Sequence, residues 1–331
     1  MENKRVSIID VAKAAGVSTA TVSRVINQMG GYSEKTERKV LETIKACGFR
    51  PNVSAIGLRT RKSRSVGIMV PDITNEFFAK LVKTLNQFFI EYNYSVFICD
   101  LNEDAALEER HLQEMLDKNV DGLIFISCRE STSDILTRAN VPTVYIDRSP
   151  KDAEVTVCSD HFAGGYLAGK TLCEGGCQKI LLIQDCRMNS AIELCREGFF
   201  KALRDYGQTC TAEYEKGMLP EYLNVKEYMT NLLREQGCYF DGIFATNDMM
   251  ALGALHALRE SGYKVPEQVK IVGFDNISLS KICHPPITTI AQDTHQIGNY
   301  AGEALIKLMR NEEIEEKNHI IPIHMKFRGT T

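Results

Sequence analysis

From Ser65 onward, short apolar runs alternate with stretches whose apolar residues recur at helical spacing. The runs that have the length of buried strands are Ser65–Val70, Ser95–Cys99, Gly122–Ser127, Thr143–Asp147, Lys179–Gln184, Gly242–Ala245 and Lys270–Phe274. The helical stretches between them lie near Phe77–Glu91, Ala105–Lys118, His161–Cys173, Ile192–Tyr206, Val225–Glu235 and Met249–Glu260. Continuous apolar strands separated by helices predict parallel sheets with both faces covered, and there are enough strands for two sheets.

Charge is distributed unevenly between the two ends of the chain. Residues 1–64 hold 13 Lys and Arg against 5 Asp and Glu, whereas the remaining 267 residues hold 26 against 38. A small basic segment attached to a large acidic body indicates a polyanionic partner for the basic segment. Charge alone leaves a second interpretation open, in which the segment is a solvated basic face without a partner.

The basic segment has the pattern of three short helices. Ser7 can cap the first helix, and Gly16 can take a positive φ and end it. The second helix is expected over about Thr19–Asn27 and the third over about Glu34–Ala46. Two short helices joined by a tight glycine turn are typical of a DNA-reading helix-turn-helix. The same spacing also fits an ordinary three-helix packing module.

In a helix-turn-helix, the second helix enters the major groove and its N-terminal residues reach the base edges. Arg24 is the strongest candidate for base reading, because its planar fork matches O6 and N7 of guanine. Thr19 offers a hydroxyl or a methyl group, and Ala20 can contact a thymine methyl. The candidates for phosphate contacts, which set register without reading sequence, are Ser18, Thr21, Ser23 and Asn27.

The eighteen residues from Asp10 to Asn27, DVAKAAGVSTATVSRVIN, resemble the head of the LacI/GalR family of transcriptional repressors. The resemblance covers essentially the whole chain. It implies an all-α helix-turn-helix head and an α/β body of two Rossmann-like lobes, of the periplasmic-binding-protein-like type, joined by three crossovers near Asp160, Ala291 and Ile323. The implied domains are the head at 1–49, a hinge at 50–64 and an effector-binding and dimerisation body at 65–331. The body divides into an N-lobe (about 65–160 and 292–322) and a C-lobe (about 161–291 and 323–331).

The hinge is basic and begins after Pro51, which ends the third helix. In the resembled family this segment forms a helix on cognate DNA, and one Leu of each subunit enters the minor groove. Leu58 holds that position here, and an apolar wedge of this kind unstacks a base step and bends the duplex. Two positions depart from the family pattern: Ile56 stands where an Arg is common, and Gly57 disfavours a helix by about 1 kcal/mol.

Polar residues follow the predicted strands of the body at their carboxyl ends, where doubly wound sheets bind ligands. Carboxylates across a cleft between two lobes suit the hydroxyls of a sugar or nucleoside, and an aromatic ring can stack on a sugar ring. The predicted effector contacts are Asp72, Phe77, Phe78, Asp147, Asn247, Asp248 and Asp275. The alternative for each Asp or Asn is a cap on the helix that follows.

One position departs from the resembled family in the effector site. Cys195 stands where the family carries an effector-binding Arg, although Arg196 is adjacent, and Cys177 replaces a common His. A thiol cannot replace the bidentate anchor of a guanidinium. Both Cys195 and Arg196 are kept as candidate effector residues, and the class of ligand is left open.

The sequence therefore predicts a cytoplasmic transcriptional repressor of a carbohydrate or nucleoside operon. It would bind a palindromic DNA operator as a homodimer, because two-fold protein symmetry imposes a palindrome, and respond to a small-molecule effector. No heptad segment follows Arg328, which favours a dimer over a tetramer. The alternatives are a solute-binding protein without DNA function and a regulator whose co-regulator is a protein.

Other classes of protein lack support in the sequence. No G-x-G-x-x-G, Walker-type or nucleophile-elbow motif is present, so no enzyme activity and no cofactor are expected. The eleven Cys include no C-x-x-C pair, so no metal site is expected. The N-terminus has no apolar signal core, and no run approaches the roughly 20 apolar residues of a membrane span.

Overall fold

A computed structural model describes residues 6–26, 29–49, 62–126, 129, 131–184, 189–214 and 221–331. The chain divides into two compact units, Met1–Ser63 and Arg64–Thr331. Two of the predicted DNA contacts, Asn27 and Leu58, lie outside the described residues, as does the hinge segment 50–61.

The first unit contains the three predicted helices, α1 (Ile8–Ala15), α2 (Thr19–Ile26) and α3 (Glu34–Cys47). Ser7 and Asp10 form a reciprocal capping box at the start of α1, and Gly16 ends α1 with a φ of 65°. A β-carbon disfavours this left-handed conformation, so glycine is the natural residue for the turn. The helices enclose a small apolar core formed by Val11, Ala12, Ala15, Val22, Val25 and Val40.

The second unit contains two parallel sheets and their covering helices. In chain order its elements are β1 (Ser65–Val70), α4 (Glu76–Glu91), β2 (Ser95–Asp100), α5 (Ala105–Asp117), β3 (Gly122–Phe125), α6 (Asp134–Ala139), β4 (Thr143–Ile146), β5 (Thr156–Ser159), α7 (His161–Glu174), β6 (Ile180–Ile183), α8 (Ser190–Asp205), β7 (Cys210–Tyr214), α9 (Tyr222–Gln236), β8 (Gly242–Ala245), α10 (Asp248–Glu260), β9 (Lys270–Phe274), α11 (Ser278–Ile282), β10 (Thr288–Ala291), α12 (Thr294–Met309), β11 (Asn318–Ile321) and β12 (His324–Lys326).

Within the described residues, each sheet has six strands. The first has the order β11-β5-β4-β3-β1-β2 and is parallel throughout. The second has the order β12-β10-β9-β8-β6-β7 and is parallel except for β12, which runs antiparallel to β10. The central strands are buried along their whole length, as β1, β3, β6 and β8 show. This is the α/β body with parallel sheets that the alternating apolar pattern predicts.

The chain passes between the two sheets three times: from β5 to α7, from β10 to α12, and from β11 to β12. We call the part built on the first sheet the N-lobe, which includes α4, α5, α6 and α12. The part built on the second sheet, with α7 to α11, is the C-lobe. Because the carboxyl ends of β1, β4, β8 and β9 lie at the crossing side, residues after these strands meet between the lobes.

Several elements were not predicted from the sequence. Strands β5, β11 and β12 are short and only partly buried, so they lack a continuous apolar run. Helix α12 has a face built on Gly298, Ala301 and Gly302, and small residues give a weak apolar stripe. A β-carbon at Gly302 would lie within 2.4 Å of the Phe88 ring, so this glycine lets α12 approach α4 closely. Among the described helices, none is long and apolar enough to cross a membrane.

Candidate nucleic-acid interface and interlobe cavity

Helix α2 presents a polar face to solvent and an apolar face to the core. Val22 and Val25 are buried, whereas Thr19, Ala20 and Arg24 are exposed. The three predicted base-reading residues therefore share the accessible surface of this helix. An exposed guanidinium on a helix that is anchored from behind has the geometry needed to enter a DNA groove.

Ser18 holds the start of α2. Its hydroxyl accepts a hydrogen bond from the backbone N–H of Thr21 at 3.1 Å, and its Oγ lies 2.9 Å from Thr21 Oγ1. Ser18 is exposed, and Thr21 and Ser23, both in α2, are half-buried. The capping bond uses Ser18 as an acceptor, so its hydroxyl can donate to a phosphate when Thr21 is the donor in the hydroxyl pair.

A cavity of about 690 Å³ lies between the N-lobe and the C-lobe. Residues after the strands of both lobes line it, as the strand-end argument predicts: Asp72 after β1, Asp147 after β4, Asn247 after β8 and Asp275 after β9. Asp147 and Asp275 have φ angles of 52° and 99°. Backbone strain of this kind in residues other than glycine is concentrated at functional sites.

The structure brings seven of the nine predicted effector residues to the cavity lining: Asp72, Phe77, Phe78, Asp147, Cys195, Asn247 and Asp275. The rings of Phe77 and Phe78 pack edge to face, with centroids 5.3 Å apart. The capping interpretation of Asn247 is confirmed, because its Oδ1 accepts a hydrogen bond from the N–H of Met250 at 2.7 Å. One side chain therefore both caps α10 and faces the cavity.

The other two predicted residues, Asp248 and Arg196, do not line the cavity, and their assignment as effector contacts is corrected. Asp248 is fully buried, because the first turn of α10 directs its carboxylate toward the protein interior. There it accepts hydrogen bonds from the N–H of Ile277 at 2.9 Å and the hydroxyl of Thr289 at 2.6 Å. The guanidinium of Arg196 lies over the ring of Phe200, 4.8 Å from its centroid, on the same helix.

A chain of hydrogen bonds links the lobes beside the cavity at two of the crossovers. His161 Nε2 lies 3.0 Å from Asp147 Oδ1, which also accepts from the N–H of Ser159 at 2.9 Å. The hydroxyl of Ser159 donates to Gln292 Oε1 at 2.6 Å, and the amide of Gln292 donates to Asp275 at 2.7 Å. A carboxylate of the N-lobe is thereby connected through both crossovers to a carboxylate of the C-lobe.

Burial perturbs the two carboxyl groups at this end of the C-lobe. Removal from water, together with the neighbouring carboxylates of Asp248 and Asp147, raises the pKa of Asp275 to about 7, against the opposing hydrogen bond from Gln292. Burial also raises the pKa of Asp248 to about 6, against the hydrogen bonds from Thr289 and Ile277. Near neutral pH, therefore, Asp275 lies close to its titration midpoint.

Sequence reasoning missed several polar residues of the cavity. Arg148 Nη1 donates to both carboxylate oxygens of Glu103 at 2.8 Å, and its guanidinium lies 5.6 Å from the centre of the Phe78 ring. His161 and Gln292 also line the cavity. Their positions in the sequence could have indicated them. Arg148 directly follows the strand-end residue Asp147, and His161 and Gln292 directly follow Asp160 and Ala291 at the predicted crossovers.

Cys195 is buried at the edge of the cavity, with 2% of its surface exposed. Its neighbours in the C-lobe core include Leu182 and Phe199. Burial raises the pKa of the thiol above its usual range, and the nearby Asp275 raises it further. The side chain at this position is therefore neutral and apolar.

Comparison with known proteins places the chain among bacterial regulators. Residues 7–52 match the family described as "Bacterial regulatory proteins, lacI family", and residues 170–331 match the "Periplasmic binding protein-like domain". The chain is 32% identical over 331 residues to the HTH-type transcriptional regulator RegA of Clostridium saccharobutylicum, an alignment that covers 98% of this chain and 99% of that protein.

Two solved structures extend the comparison. The lac repressor dimer bound to operator and the anti-inducer ONPF superposes with a TM-score of 0.89 at 27% identity, covering 99% of each chain. A LacI family transcriptional regulator from Enterococcus faecium with bound ribose has a TM-score of 0.71 at 28% identity, covering 81% of this chain and 98% of that one. The similar proteins are transcriptional regulators and not enzymes.

Proposed function

Because this chain belongs to the LacI family of bacterial regulatory proteins, we propose that it represses transcription by binding a palindromic operator as a dimer. A small molecule in the interlobe cavity modulates that binding. The observation that carries the proposal is the exposed face of α2, which presents Arg24 beside Thr19 and Ala20 while Val22 and Val25 anchor the helix from behind. A regulator of chromosomal genes works in the bacterial cytoplasm.

The residues of α2 divide between reading bases and fixing register. Arg24 reads guanine through two parallel hydrogen bonds, and Thr19 and Ala20 contact neighbouring base edges. Ser18, Thr21 and Ser23, together with Asn27, hold the phosphates. Leu58 enters the minor groove at the centre of the site. The proposal for Asn27 and Leu58 rests on the sequence, since both lie outside the described residues.

The cavity supports a sugar-like effector. Its volume of about 690 Å³ lies within the range of small-molecule sites, and Phe77 and Phe78 offer an apolar wall beside carboxylates that accept hydrogen bonds from hydroxyls. The ribose-bound relative is similar over the body of this chain. An effector that binds one arrangement of the lobes more tightly than the other shifts DNA affinity by that difference.

Selection of binding sites from a random pool of duplex DNA tests the proposal. The full-length protein should enrich one inverted repeat, and its affinity for that repeat should fall with salt at a slope of about −0.9 per neutralised phosphate. A pool that shows no enriched symmetric site, or an affinity that does not change with salt, would contradict it. Light scattering of the protein on the selected site should give two subunits per duplex.

A further inference from the structure

The cavity between the lobes is strongly acidic. Of the described residues that line it, six are carboxylic acids: Asp72, Glu76, Glu103, Asp147, Glu221 and Asp275. Only two lining residues in the same set, Arg148 and His161, are basic. A cavity with this composition creates a negative potential, which its low-dielectric walls concentrate.

Both basic side chains of the lining are already engaged by carboxylates. Arg148 forms a forked ion pair with Glu103, and the two side chains are 15% and 16% exposed. His161 Nε2 lies 3.0 Å from Asp147, and these side chains are 7% and 5% exposed. Neither group is therefore available to neutralise a charge on a ligand unless a buried pair separates, which leaves an uncompensated buried charge.

Two of the carboxylates contact neutral donors instead. Asp275 accepts a hydrogen bond from the amide of Gln292 at 2.7 Å, and Asp72 accepts from the N–H of Thr74 at 2.8 Å and from its hydroxyl at 2.6 Å. Among the residues that the structure describes, no basic side chain forms an ion pair with either of them. Asp72 belongs to the N-lobe and Asp275 to the C-lobe, so carboxyl groups without a basic partner face the cavity from both sides.

An independent feature marks a ligand position on the C-lobe side. Thr246 lines the cavity and is 8% exposed, and its hydroxyl has no hydrogen-bond partner among the described residues. A buried hydroxyl left without a partner is unfavourable, so a polar group of a ligand at this point would form a stabilising hydrogen bond with it. Asn247, the next residue, also lines the cavity.

The apolar character of Cys195 completes the charge pattern. Its buried, protonated thiol adds no charge to this part of the cavity wall. An anionic ligand such as a sugar phosphate would meet carboxylates from both lobes. A neutral sugar would leave Asp72 and the ionised fraction of Asp275 without a compensating charge, whereas an ammonium group favours the ionised form of Asp275.

We propose that the effector carries a positive charge, and that it is a polyhydroxylated amine such as an amino sugar. This inference deepens the proposed function and rests on the cavity being the effector site. The ammonium group lies between Asp72 and Asp275, and a hydroxyl of the ligand satisfies Thr246. Charge-assisted hydrogen bonds from an ammonium group to carboxylates are about twice as strong as neutral ones.

Matched sugars test the charge directly. The full-length protein is titrated calorimetrically with D-glucosamine, D-galactosamine and D-mannosamine, and with the parent hexose, the N-acetyl derivative and the hexose 6-phosphate of each. We expect at least one amine to bind tenfold more tightly than its three uncharged or anionic counterparts. The inference is overturned if no amine binds, or if a neutral or phosphorylated member of the panel binds as tightly as the best amine.

Two variants locate the charge. Asp275→Asn and Asp72→Asn should each weaken binding of the best amine at least tenfold, while Glu312→Gln, which removes one exposed carboxylate outside the cavity, should leave it unchanged. Having one variant in each lobe keeps the test decisive if one of them unfolds in a thermal melt. The proposed ammonium position is excluded if Asp275→Asn and Asp72→Asn, both folded, bind the best amine as tightly as Glu312→Gln does.

The two proposals can fail separately. DNA-site selection without any sugar reports on the α2 face and does not depend on the charge of the ligand. Loss of DNA selection with retained amine binding would contradict the repressor function but keep the cationic ligand. Retained DNA selection with binding of neutral sugars alone would support the repressor function and contradict the cationic ligand.

Discussion

The carboxylate of Glu76, at the start of α4, accepts hydrogen bonds from both the backbone N–H and the hydroxyl of Ser278, at the start of α11, at 2.7–2.9 Å. Glu76 belongs to the N-lobe and Ser278 to the C-lobe, so these bonds join the lobes at the cavity. A second set of bonds also joins the lobes: the hydroxyl of Ser190, in the C-lobe, donates to the carbonyl of Asp147 and accepts from the N–H of Ser149, both in the N-lobe. Hydrogen bonds at two places therefore hold the lobes in contact in the described structure.

Removal of the Glu76 carboxylate should favour opening of the lobes. Hydrogen bonds to a charged group contribute about 1.5–3 kcal/mol to stability. Because the Glu76 carboxylate is partly exposed, we expect its bonds to Ser278 to lie near the lower end of this range. Glu76→Ala should therefore speed amide exchange in the segments around residues 72–78 and 275–280 by about tenfold, measured by hydrogen–deuterium exchange with mass spectrometry. Ser278→Ala should add little in the Glu76→Ala background, because Glu76→Ala already removes the acceptor of the Ser278 hydroxyl.

Lys80→Ala is the matched control for this effect. Lys80 forms an ion pair with Glu76 on the same helix, and such exposed i,i+4 pairs contribute about 0.3–0.5 kcal/mol. The control should leave exchange in the cleft segments nearly unchanged. An equal acceleration in Lys80→Ala would show that helix α4, and not the contact between the lobes, determines the rate.

Arg24→Ala should reduce affinity for the selected operator by about 1–3 kcal/mol and relax the preference for one base position. The reason is that a bidentate contact discriminates between bases, whereas contacts to the phosphates do not. Fluorescence anisotropy on the operator, on single-base variants and on scrambled duplex measures both effects. Arg38→Ala removes the same charge from an exposed position on α3 and should not change base preference. A loss for Arg24→Ala that is equal on all duplexes would contradict base reading.

Stability should depend on pH through the buried carboxyls of Asp248 and Asp275. Their pKa values of about 6 and about 7 in the folded protein lie above the value of about 3.9 in an unfolded chain. The folded state then binds more protons than the unfolded state between about pH 4 and pH 7, so these groups stabilise the fold at the acid end and the contribution is lost as pH rises. One proton contributes a slope of at most about 1.4 kcal/mol per pH unit.

Asp275→Asn removes one of these groups without a large change in shape. Groups such as Asp152 and Asp293, whose pKa values are lowered, act in the opposite direction, so the difference between the variant and the parent protein isolates Asp275. Urea unfolding at intervals from pH 4.5 to pH 7.5 should show the variant gaining stability relative to the parent as pH rises. A constant difference across the series would mean that Asp275 is ionised throughout.

The two sheets could be predicted from the sequence because their central strands are buried on both faces and therefore form continuous apolar runs. Ser65–Val70 is apolar after its first residue and Gly242–Ala245 is apolar throughout, and the structure places both strands at their predicted limits. Strand β12 could not be read in the same way, since it has three residues, is largely exposed and pairs antiparallel with β10. Whether such a segment forms a strand depends on pairing with β10, and not on its own pattern of apolar residues.

The cavity residues likewise divide into those that the sequence predicts and those that depend on tertiary contacts. Asp72, Asp147 and Asp275 follow strands, so their meeting at one edge follows from the parallel topology. Glu76 and Thr246 could not be assigned in advance, because what each faces depends on how the two lobes meet. Asp248 was predicted because it follows the same strand as Asn247, whereas the first turn of α10 directs its carboxylate into the core. Gly273 leaves room for that carboxylate, and a β-carbon there would lie 2.2 Å from Asp248 Oδ1.

The contact between α7 and α8 sets the position of Cys195 at the cavity, and it depends on two glycines. A β-carbon at Gly165 would lie 1.8 Å from the carbonyl oxygen of Cys195, and one at Gly198 would lie 1.9 Å from the carbonyl oxygen of Phe162. Both neighbours are backbone atoms, so the helices must separate to accept a methyl group. Gly165→Ala should therefore lower the free energy of unfolding by about 3 kcal/mol, although alanine favours an isolated helix.

Gly175→Ala provides the comparison at the end of the same helix. Gly175 has a φ of −70°, and the atoms nearest to an added β-carbon are the movable side chain of Lys270 at 3.0 Å and the carbonyl oxygen of Thr171 at 3.1 Å. Urea unfolding should show a change within about 1 kcal/mol for this variant, because the Lys270 side chain can shift and the Thr171 contact is much longer than the 1.8 Å approach at Gly165. Calorimetric titration of Gly165→Ala with the best-binding sugar should also show weaker binding, since α8 carries both Cys195 and the N-terminal residues that line the cavity. Equal stability of the two variants would show that α7 and α8 can separate at little cost, and that their close approach does not set the position of Cys195.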